Sequence, residues 1–421
     1  MKIVIINTSE QTGGAAIAAN RLMKALIDKG IEAKSLVLKK QSDDKNVIPV
    51  LTSGFKKYRS QFNFLWERLV IFFCNHFTRK NLFQVSIANT GLDLSKHPLV
   101  KSADIIHIHW INQGFLSLNG IKKLVKTGKP VVWTLHDLWA GTGICHYPGD
   151  CDKYQNECHH CPLLSGYFPV DLSRQTFIKK RKINLESISY VGCSRWISEK
   201  AKQSVLLKNA GITSIPNPIN TKIFHPQNKP AIRKQLGLPA DKKLLLFSAA
   251  KISDTRKGGI YFLNACNFIC ETNPEWKSKI EIILMGQGDE TFLSGIKMKV
   301  NPLRYVRGDE NIAAIYAAAD AFVIPSLEDN LPNTIMEAMA CGTPCVGFDT
   351  GGIPEMINHL KNGYVAKYKD TEDLAKGIIW ILEQDPAILS KPAVGKVEEN
   401  YAQSIVAEKY IQHYYSLINH V

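Results

Sequence analysis

No stretch of this chain approaches the roughly 20 consecutive apolar residues that a membrane-spanning helix needs, so no span is expected. The opening run Met1-Lys2-Ile3-Val4-Ile5-Ile6-Asn7 is too short for a secretion signal and no small-residue cleavage site follows; it reads as a strand. G-x-G-x-x-G is missing too, which removes the dinucleotide fingerprint. Nor does any stretch interleave basic and aromatic residues as an RNA-binding motif would, so nucleic acid is not an expected partner. Without a secretion signal, the ten cysteines read as reduced thiols or metal ligands in a cytoplasmic protein.

What is present is an ordinary globular composition, 45% apolar and 21% charged, in a chain of 421 residues that is long enough for two sizeable cores. The net charge of +14 comes from scattered Lys and Arg. It suits a protein that handles anions: nucleotide phosphates, a lipid diphosphate or an anionic membrane face at the inner side of the plasma membrane.

Ala321 to Gly352 is the stretch on which the rest is organised. Ala321-Phe322-Val323-Ile324 is a short apolar run with the length of a buried strand, stopped by Pro325 and Ser326. After a polar loop, Pro332-Asn333-Thr334 opens a helix, which places the cap at Asn330 or Leu331. The good helix formers Ile335 to Ala340 continue it, Gly342 and Pro344 end it, and Pro344 to Phe348 is the next strand. Such a strand–loop–helix–strand unit puts the helix start at the carboxyl end of a strand, where open α/β sheets bind ligands. Asp329 on the loop and Glu337 inside the helix flank amides that suit a phosphate. The alternative is a solvated loop acid and an ordinary helix glutamate.

Elsewhere strands alternate with helices. Lys2–Ile6 is followed by Gly13-Gly14 and a helix over 16–29, a turn that also makes an anion site. Residues 60–80 mix large apolar and basic side chains, which reads either as a basic amphipathic helix in a membrane interface or as one packed on the sheet. Two buried strands end in histidine, one at His109-Trp110 and one at His136, and suggest imidazoles at one sheet edge. Cysteines follow as Cys145-x5-Cys151-x6-Cys158-x2-Cys161. Four thiolates close a tetrahedral zinc site, so a structural zinc is one expectation; free thiols in a compact loop and disulfides are the others. In the second half, Leu244–Ala250 is a strand and the segment from Lys251 through Arg256 and Lys257 to Gly259 a flexible basic loop. Its lysines are either solvated or neutralise a diphosphate. Further strands are expected at 280–285 and 304–308, and helices at 312–319, 371–382 and 401–417.

PSLEDNLPNTIMEAMACGTPCV resembles the acid-x7-acid signature of the retaining glycosyltransferases of family 4, of the polysaccharide and colanic-acid type. The resemblance covers nearly all of the chain and is strongest over 215–365. It implies the GT-B fold: an α/β protein of two Rossmann-like, doubly wound domains facing across a cleft, here 1–217 for the acceptor and 218–400 for the nucleotide sugar, with a last helix (about 401–421) returning to the first. By position it implies that Asp329 contacts the transferred sugar, Glu337 the ribose, and the segment holding Asn330, Leu331, Asn333 and Thr334 the diphosphate. The family's first acid is usually Glu, and here Asp329 holds that register with Glu328 beside it; Pro332 removes one amide donor. Lys257-Gly258 matches a diphosphate-binding Lys-Gly, with Lys251 or Arg256 standing in for an upstream Arg. Gly13 and Gly14 match a loop facing the diphosphate, the strand ending at Arg307 the base contact, Asn362-Gly363 a hairpin, and His136 the donor–acceptor junction. His109 and Trp110 are candidates for the acceptor.

The expected activity is retaining hexosyl transfer from a UDP- or GDP-type sugar to a hydroxyl, on a lipid-linked or oligosaccharide acceptor, with no cofactor required for catalysis. A non-catalytic nucleotide-sugar-binding partner of a polysaccharide assembly is the alternative reading, and a sugar-phosphate synthase or epimerase a further one.

Overall fold

A computed structural model of the chain describes residues 1–51, 54–167, 170–251, 254–287, 290–303 and 306–419; the side chains of 54–57, 250, 251, 287, 290 and 291 are outside that description too. The chain divides into two compact units, Met1–Pro218 with Val406–Val421, and Ile219–Ile405.

The first unit holds seven parallel strands, β1 (Lys2–Ser9), β2 (Glu32–Lys39), β3 (Val47–Pro49), β4 (Ile105–Ile108), β5 (Val131–Leu135), β6 (Ile188–Gly192) and β7 (Ile212–Ser214), in the order β3-β2-β1-β4-β5-β6-β7. The second holds β8 (Lys243–Lys251), β9 (Ile280–Gln287), β10 (Lys299–Leu303), β11 (Ala321–Ile324), β12 (Cys345–Phe348) and β13 (Gly363–Ala366), in the order β10-β9-β8-β11-β12-β13. Every ladder is parallel. Both orders are doubly wound, reversing direction between β1 and β4 in one unit and between β8 and β11 in the other. Ligands of such sheets bind beyond the strand carboxyl ends at those reversals.

Helices cover both faces of a parallel sheet, which is why β1, β4, β5, β11 and β12 are buried almost throughout rather than alternately. In the first unit, one apolar cluster gathers Ile6, Ile106, Trp133 and Phe177, and a second on the other face gathers Ile5, Leu22, Val132 and Tyr410. A third, around Phe247, Phe262, Val323 and Leu374, forms the core of the second unit. Each such side chain contributes roughly 1.5–3 kcal/mol on burial. The last helix, Gln403–Ile418, packs Val406, Ala407, Tyr410 and Tyr414 onto the first unit.

Local signals place the helix starts. Ser194 accepts from the Ile197 amide at 3.1 Å and caps Arg195–Lys202. Asp370 does the same for Thr371–Glu383 through the Asp373 amide at 2.9 Å. Ser194→Ala is expected to cost about 1 kcal/mol, read as a lowered urea midpoint with unchanged slope.

Several expected elements differ. The aromatic helix spans Gly54–Cys74 and does not reach residue 80. Asn75 stops it by turning its side-chain amide onto the carbonyls of Thr78 and Lys80. The hairpin expected at Asn362-Gly363 is instead β13, drawn into the sheet by its parallel ladder with β12. The strand expected at 304–308 is β10, already ended at Leu303; Arg304 and Tyr305 lie outside the described residues, and Val306 and Arg307 follow as irregular chain. The helix Pro386–Asn400 and the three-residue strands β3 and β7 were not expected. Among the described residues, no helix is long and apolar enough to cross a membrane.

Candidate functional site

In the second unit, the two loops that leave β8 and β11 flank the point of reversal, and an ion pair joins them. Lys257 Nζ donates to Asp329 Oδ2 at 2.5 Å, and Arg256 Nη1 lies 3.8 Å from the same oxygen. Arg256 Nη1 also donates to the Glu328 carbonyl at 2.9 Å, and the Leu327 amide bonds the Arg256 carbonyl at 2.8 Å. Asp329 is buried, which alone would raise its pKa; Lys257 and Arg256 outweigh that and hold the carboxyl below its usual value.

Residues 254–258 are more ordered than the flexible loop expected. Asp254 accepts from the Arg256 amide at 3.0 Å and caps a single turn, Thr255–Lys257. Gly258 closes it at φ +68°, where an added Cβ would sit 1.8 Å from the Pro325 carbonyl oxygen. Gly351, at φ +59°, is held equally close to the Asp329 carbonyl oxygen. Glycine is needed at both places, because backbone from neighbouring loops passes where a side chain would be. The Lys251 side chain falls outside the described residues, and so do Ile252 and Ser253.

The helix after β11 begins at Asn333, one residue later than expected. Pro332, with an extended ψ of 117°, occupies the cap position in place of Asn330 or Leu331. Asn330 and Leu331 are buried in the loop, while Asn333 and Thr334 are half-buried at the helix start. Glu337 lies one turn inside and is buried. The Tyr316 phenol is raised well above its usual pKa by burial and then by the Glu337 charge beside it. Arg307 is exposed, its carbonyl accepting from the Asn311 side chain at 2.9 Å.

In the first unit, the strand ends bring both histidines together. His109 Nδ1 and His136 Nε2 share a hydrogen bond of 2.9 Å, and the rings stack at 5.1 Å. Burial lowers the His136 pKa to about 4, against a smaller opposing effect of Asp137; burial also holds His109 well below its usual value, with His107 and His136 adding to the effect. A cavity of about 10 Å³, room for a single water, lies against His109, His136, Trp133 and Asp137. Trp110 closes the reversal point between β1 and β4: its amide donates to Asn7 Oδ1 at 2.8 Å and its carbonyl accepts from the Thr8 amide at 2.8 Å. Gly13, at φ +93°, caps the helix Gly14–Asp28, and both glycines are exposed.

Three arrangements here were not foreseen. Asp137 accepts from Trp110 Nε1 (3.0 Å) and the Trp139 amide (2.9 Å) and bonds His146 Nδ1 (2.7 Å), whose Nε2 meets Ser86 Oγ at 3.0 Å. The side chains of the last helix fasten three neighbouring strands, β4, β5 and β6: Tyr414 to His107 at 2.7 Å, Tyr410 to Thr134 at 2.9 Å and His413 to Ser189 at 2.9 Å. Buried Lys180 donates to the carbonyls of Trp139 and Thr142 and sits over the Trp139 ring.

All ten cysteines are unpaired. Cys145 and Cys161 lie in an apolar cluster with Ile71, Val85, Ile144 and Leu172, and Cys158 accepts from the Gly143 amide at 3.1 Å. Cys151 is half-exposed. Among the described residues no group of three or more His, Cys, Asp or Glu side chains is arranged to hold a metal ion. Packed this way, buried thiols act as small apolar side chains.

Residues 242–384, the span holding the Lys257–Asp329 pair and Glu337, match the family described as Glycosyl transferases group 1. That span is a group 1 glycosyltransferase domain. N-acetyl-alpha-D-glucosaminyl L-malate synthase of Bacillus anthracis is 24% identical over 326 residues, 76% of each chain. The N,N'-diacetylbacillosaminyl-diphospho-undecaprenol alpha-1,3-N-acetylgalactosaminyltransferase of Campylobacter jejuni is 27% identical over 271 residues, 61% of this chain and 69% of that one. Among solved structures, HepE of Anabaena in complex with UDP and glucose shares the fold with a TM-score of 0.62 at 17% identity, over 99% of this chain and 100% of that one. The two Rossmann-type units of this glycosyltransferase are those of the GT-B fold.

Proposed function

We propose that this glycosyltransferase moves a hexose-type sugar from a nucleotide diphosphate to a hydroxyl acceptor with retention of anomeric configuration. One observation carries the reading: Lys257 and Asp329 meet at 2.5 Å across the point of strand reversal in the second unit. A cation and an acid held there are what a sugar diphosphate needs. Lys257 and Arg256 neutralise charge as it develops on the departing diphosphate, the largest kind of catalytic contribution. Asp329, already ionised, accepts from sugar hydroxyls. Glu337 accepts from the ribose, and the amides at the start of Asn333–Ala340 face the phosphates.

His136 is buried and uncharged at neutral pH, so it takes part as a hydrogen-bond partner to sugar or acceptor rather than as a cation. Among the described residues of the second unit, no further carboxylate joins Lys257 and Asp329 as an obvious nucleophile. Same-face attack therefore fits best, with the leaving phosphate oxygen taking the acceptor proton. HepE, bound to UDP and glucose, supports a UDP-sugar donor. The Campylobacter enzyme, named for a diphospho-undecaprenol acceptor, supports a lipid-linked one.

Two measurements test this. A hydrolysis and transfer screen across UDP- and GDP-sugars, with NMR of the product anomer, is expected to find one donor turned over with retention; an inverted product overturns the mechanism. Glu337→Ala is expected to weaken calorimetric binding of UDP or GDP about tenfold, the worth of one charge-assisted hydrogen bond. Unchanged affinity would discard the ribose role.

A further inference from the structure

The helix Gly54–Cys74 is turned the wrong way round for a globular surface. Phe62, Leu65, Trp66, Leu69 and Phe73 recur at helical spacing on one face, and with Phe77 just beyond they are 42–66% exposed. Phe62 stacks on Trp66 at 6.0 Å and Phe73 meets Phe77 edge-on at 5.2 Å, so the rings form one continuous apolar ridge. The opposite stripe, which the body of the unit buries, is polar: Asn63, Glu67 and Arg68 beside Ile71.

That orientation is locked. Glu67 Oε1 accepts from the amides of Ile87 (2.9 Å) and Ala88 (2.8 Å), Arg68 donates to the carbonyls of Leu82 and Val85, and the two side chains pair at 3.0 Å. Asn63 accepts from Thr90 at 2.7 Å. Gly114, at φ +79°, lets the backbone at Asn63 and Phe64 come so close that an added Cβ would meet it at 2.7 Å. Rolling the helix to bury its aromatics would strand an ion pair and several backbone groups, which costs more than the apolar burial returns.

Along residues 54–92 the exposed charge has one sign. Glu67, the only acid between residues 54 and 92, is buried and paired, whereas Arg59, Arg79 and Lys80 are exposed. An apolar ridge of aromatics on a segment whose exposed charges are all cationic matches the surface of an anionic bilayer, whose acyl boundary receives rings and whose phosphates receive Arg and Lys. We propose that the helix Gly54–Cys74 is a built-in docking surface for an anionic lipid bilayer, lying in the plane of the interface through Phe62, Trp66 and Phe73. It is independent of the donor site and needs no particular acceptor.

Flotation with vesicles tests it. The wild-type chain is expected to float with phosphatidylcholine vesicles containing about one third phosphatidylglycerol, and at least about tenfold less with phosphatidylcholine alone. Phe62→Ser/Trp66→Ser/Phe73→Ser is expected to lower binding to the anionic vesicles by about tenfold or more while the chain stays folded with a melting temperature lower by only about 5–10 °C, since the side chains replaced are about half exposed. Arg79→Glu/Lys80→Glu is expected to weaken binding at low salt and to change it little at high salt. Three results overturn the proposal: a wild-type chain that stays unfloated with anionic vesicles, a triple variant that floats as well as wild type, or a wild-type dimer that the triple variant dissociates while neither floats, which would assign the ridge to a second copy of the chain.

Discussion

Replacing Lys257 by alanine is expected to lower the turnover number about 10²–10³-fold, the effect of removing one preorganised charge stabiliser from the leaving-group side. Asp329→Ala is expected to lose activity to a similar degree, because the sugar then lacks its partner. The stability readout separates chemistry from structure. Asp329 is buried and its carboxyl is kept ionised by Lys257 and Arg256. Removing Lys257 leaves that charge short of a partner, at a cost of roughly 1–3 kcal/mol. Removing both members relieves the mismatch, so Lys257→Ala/Asp329→Ala is expected to be more stable than Lys257→Ala while remaining inactive. A double variant that regains transfer would show that the pair only braces the two loops. Steady-state kinetics and urea unfolding of the four proteins complete the cycle.

The pair also shows what sequence reasoning reaches. Asp329, Glu337 and Lys257 stand out individually because proline and glycine punctuate their segments: Pro325 ends a strand, Gly258 ends a turn. Their meeting does not stand out. It depends on β8 and β11 being neighbours, and about seventy residues separate Lys257 from Asp329. Longer separations hid more. His107 reads as one polar residue in an apolar strand until Tyr414, 307 residues on, is seen to bond it. Helix Pro386–Asn400 was obscured by Pro392 and Gly395 inside it, and β3 and β7 were too short to show a period. The aromatic helix was legible as amphipathic. Which face is outside was not, because beside Ile71 its buried stripe is polar and held by hydrogen bonds to the backbone of 82–88. For the cysteines, spacing left a chelate, free thiols and disulfides open, and it did not show that Cys145 and Cys161 pack around Ile71 and Ile144 in an apolar cluster.

Acid is expected to unfold the first unit well before its carboxylates protonate. His107, His109 and His136 are buried and uncharged, each with a folded pKa below the usual 6.5; burial is the main cause, and His136 falls to about 4. Between those values the unfolded chain binds protons that the folded chain refuses. Stability is therefore fully present above about pH 6.5 and is lost as pH falls towards the folded pKa. Each histidine contributes a slope of about 1.4 kcal/mol per pH unit, so the three together give about 4. For a unit of this size that corresponds to a melting temperature lower by roughly 10 °C for each unit below pH 6. Buried Lys180, lowered to about 7 chiefly by burial, acts with the same sign up to its unfolded value of 10.5. Buried thiols and phenols act against it: Cys158, raised to about 11, and Cys193 and Tyr410, both raised by burial, make the folded chain hold protons that the unfolded one releases above about pH 9. The stability maximum is thus expected between roughly pH 7.5 and 9. His136→Gln removes one titrating ring at the bond to His109, and calorimetry from pH 7.5 to 5 is expected to show a slope shallower by about a third. A melting temperature that is flat across that range would mean that the three imidazoles titrate alike in the folded and unfolded chain, and would remove His136 from its place as a neutral partner of the sugar.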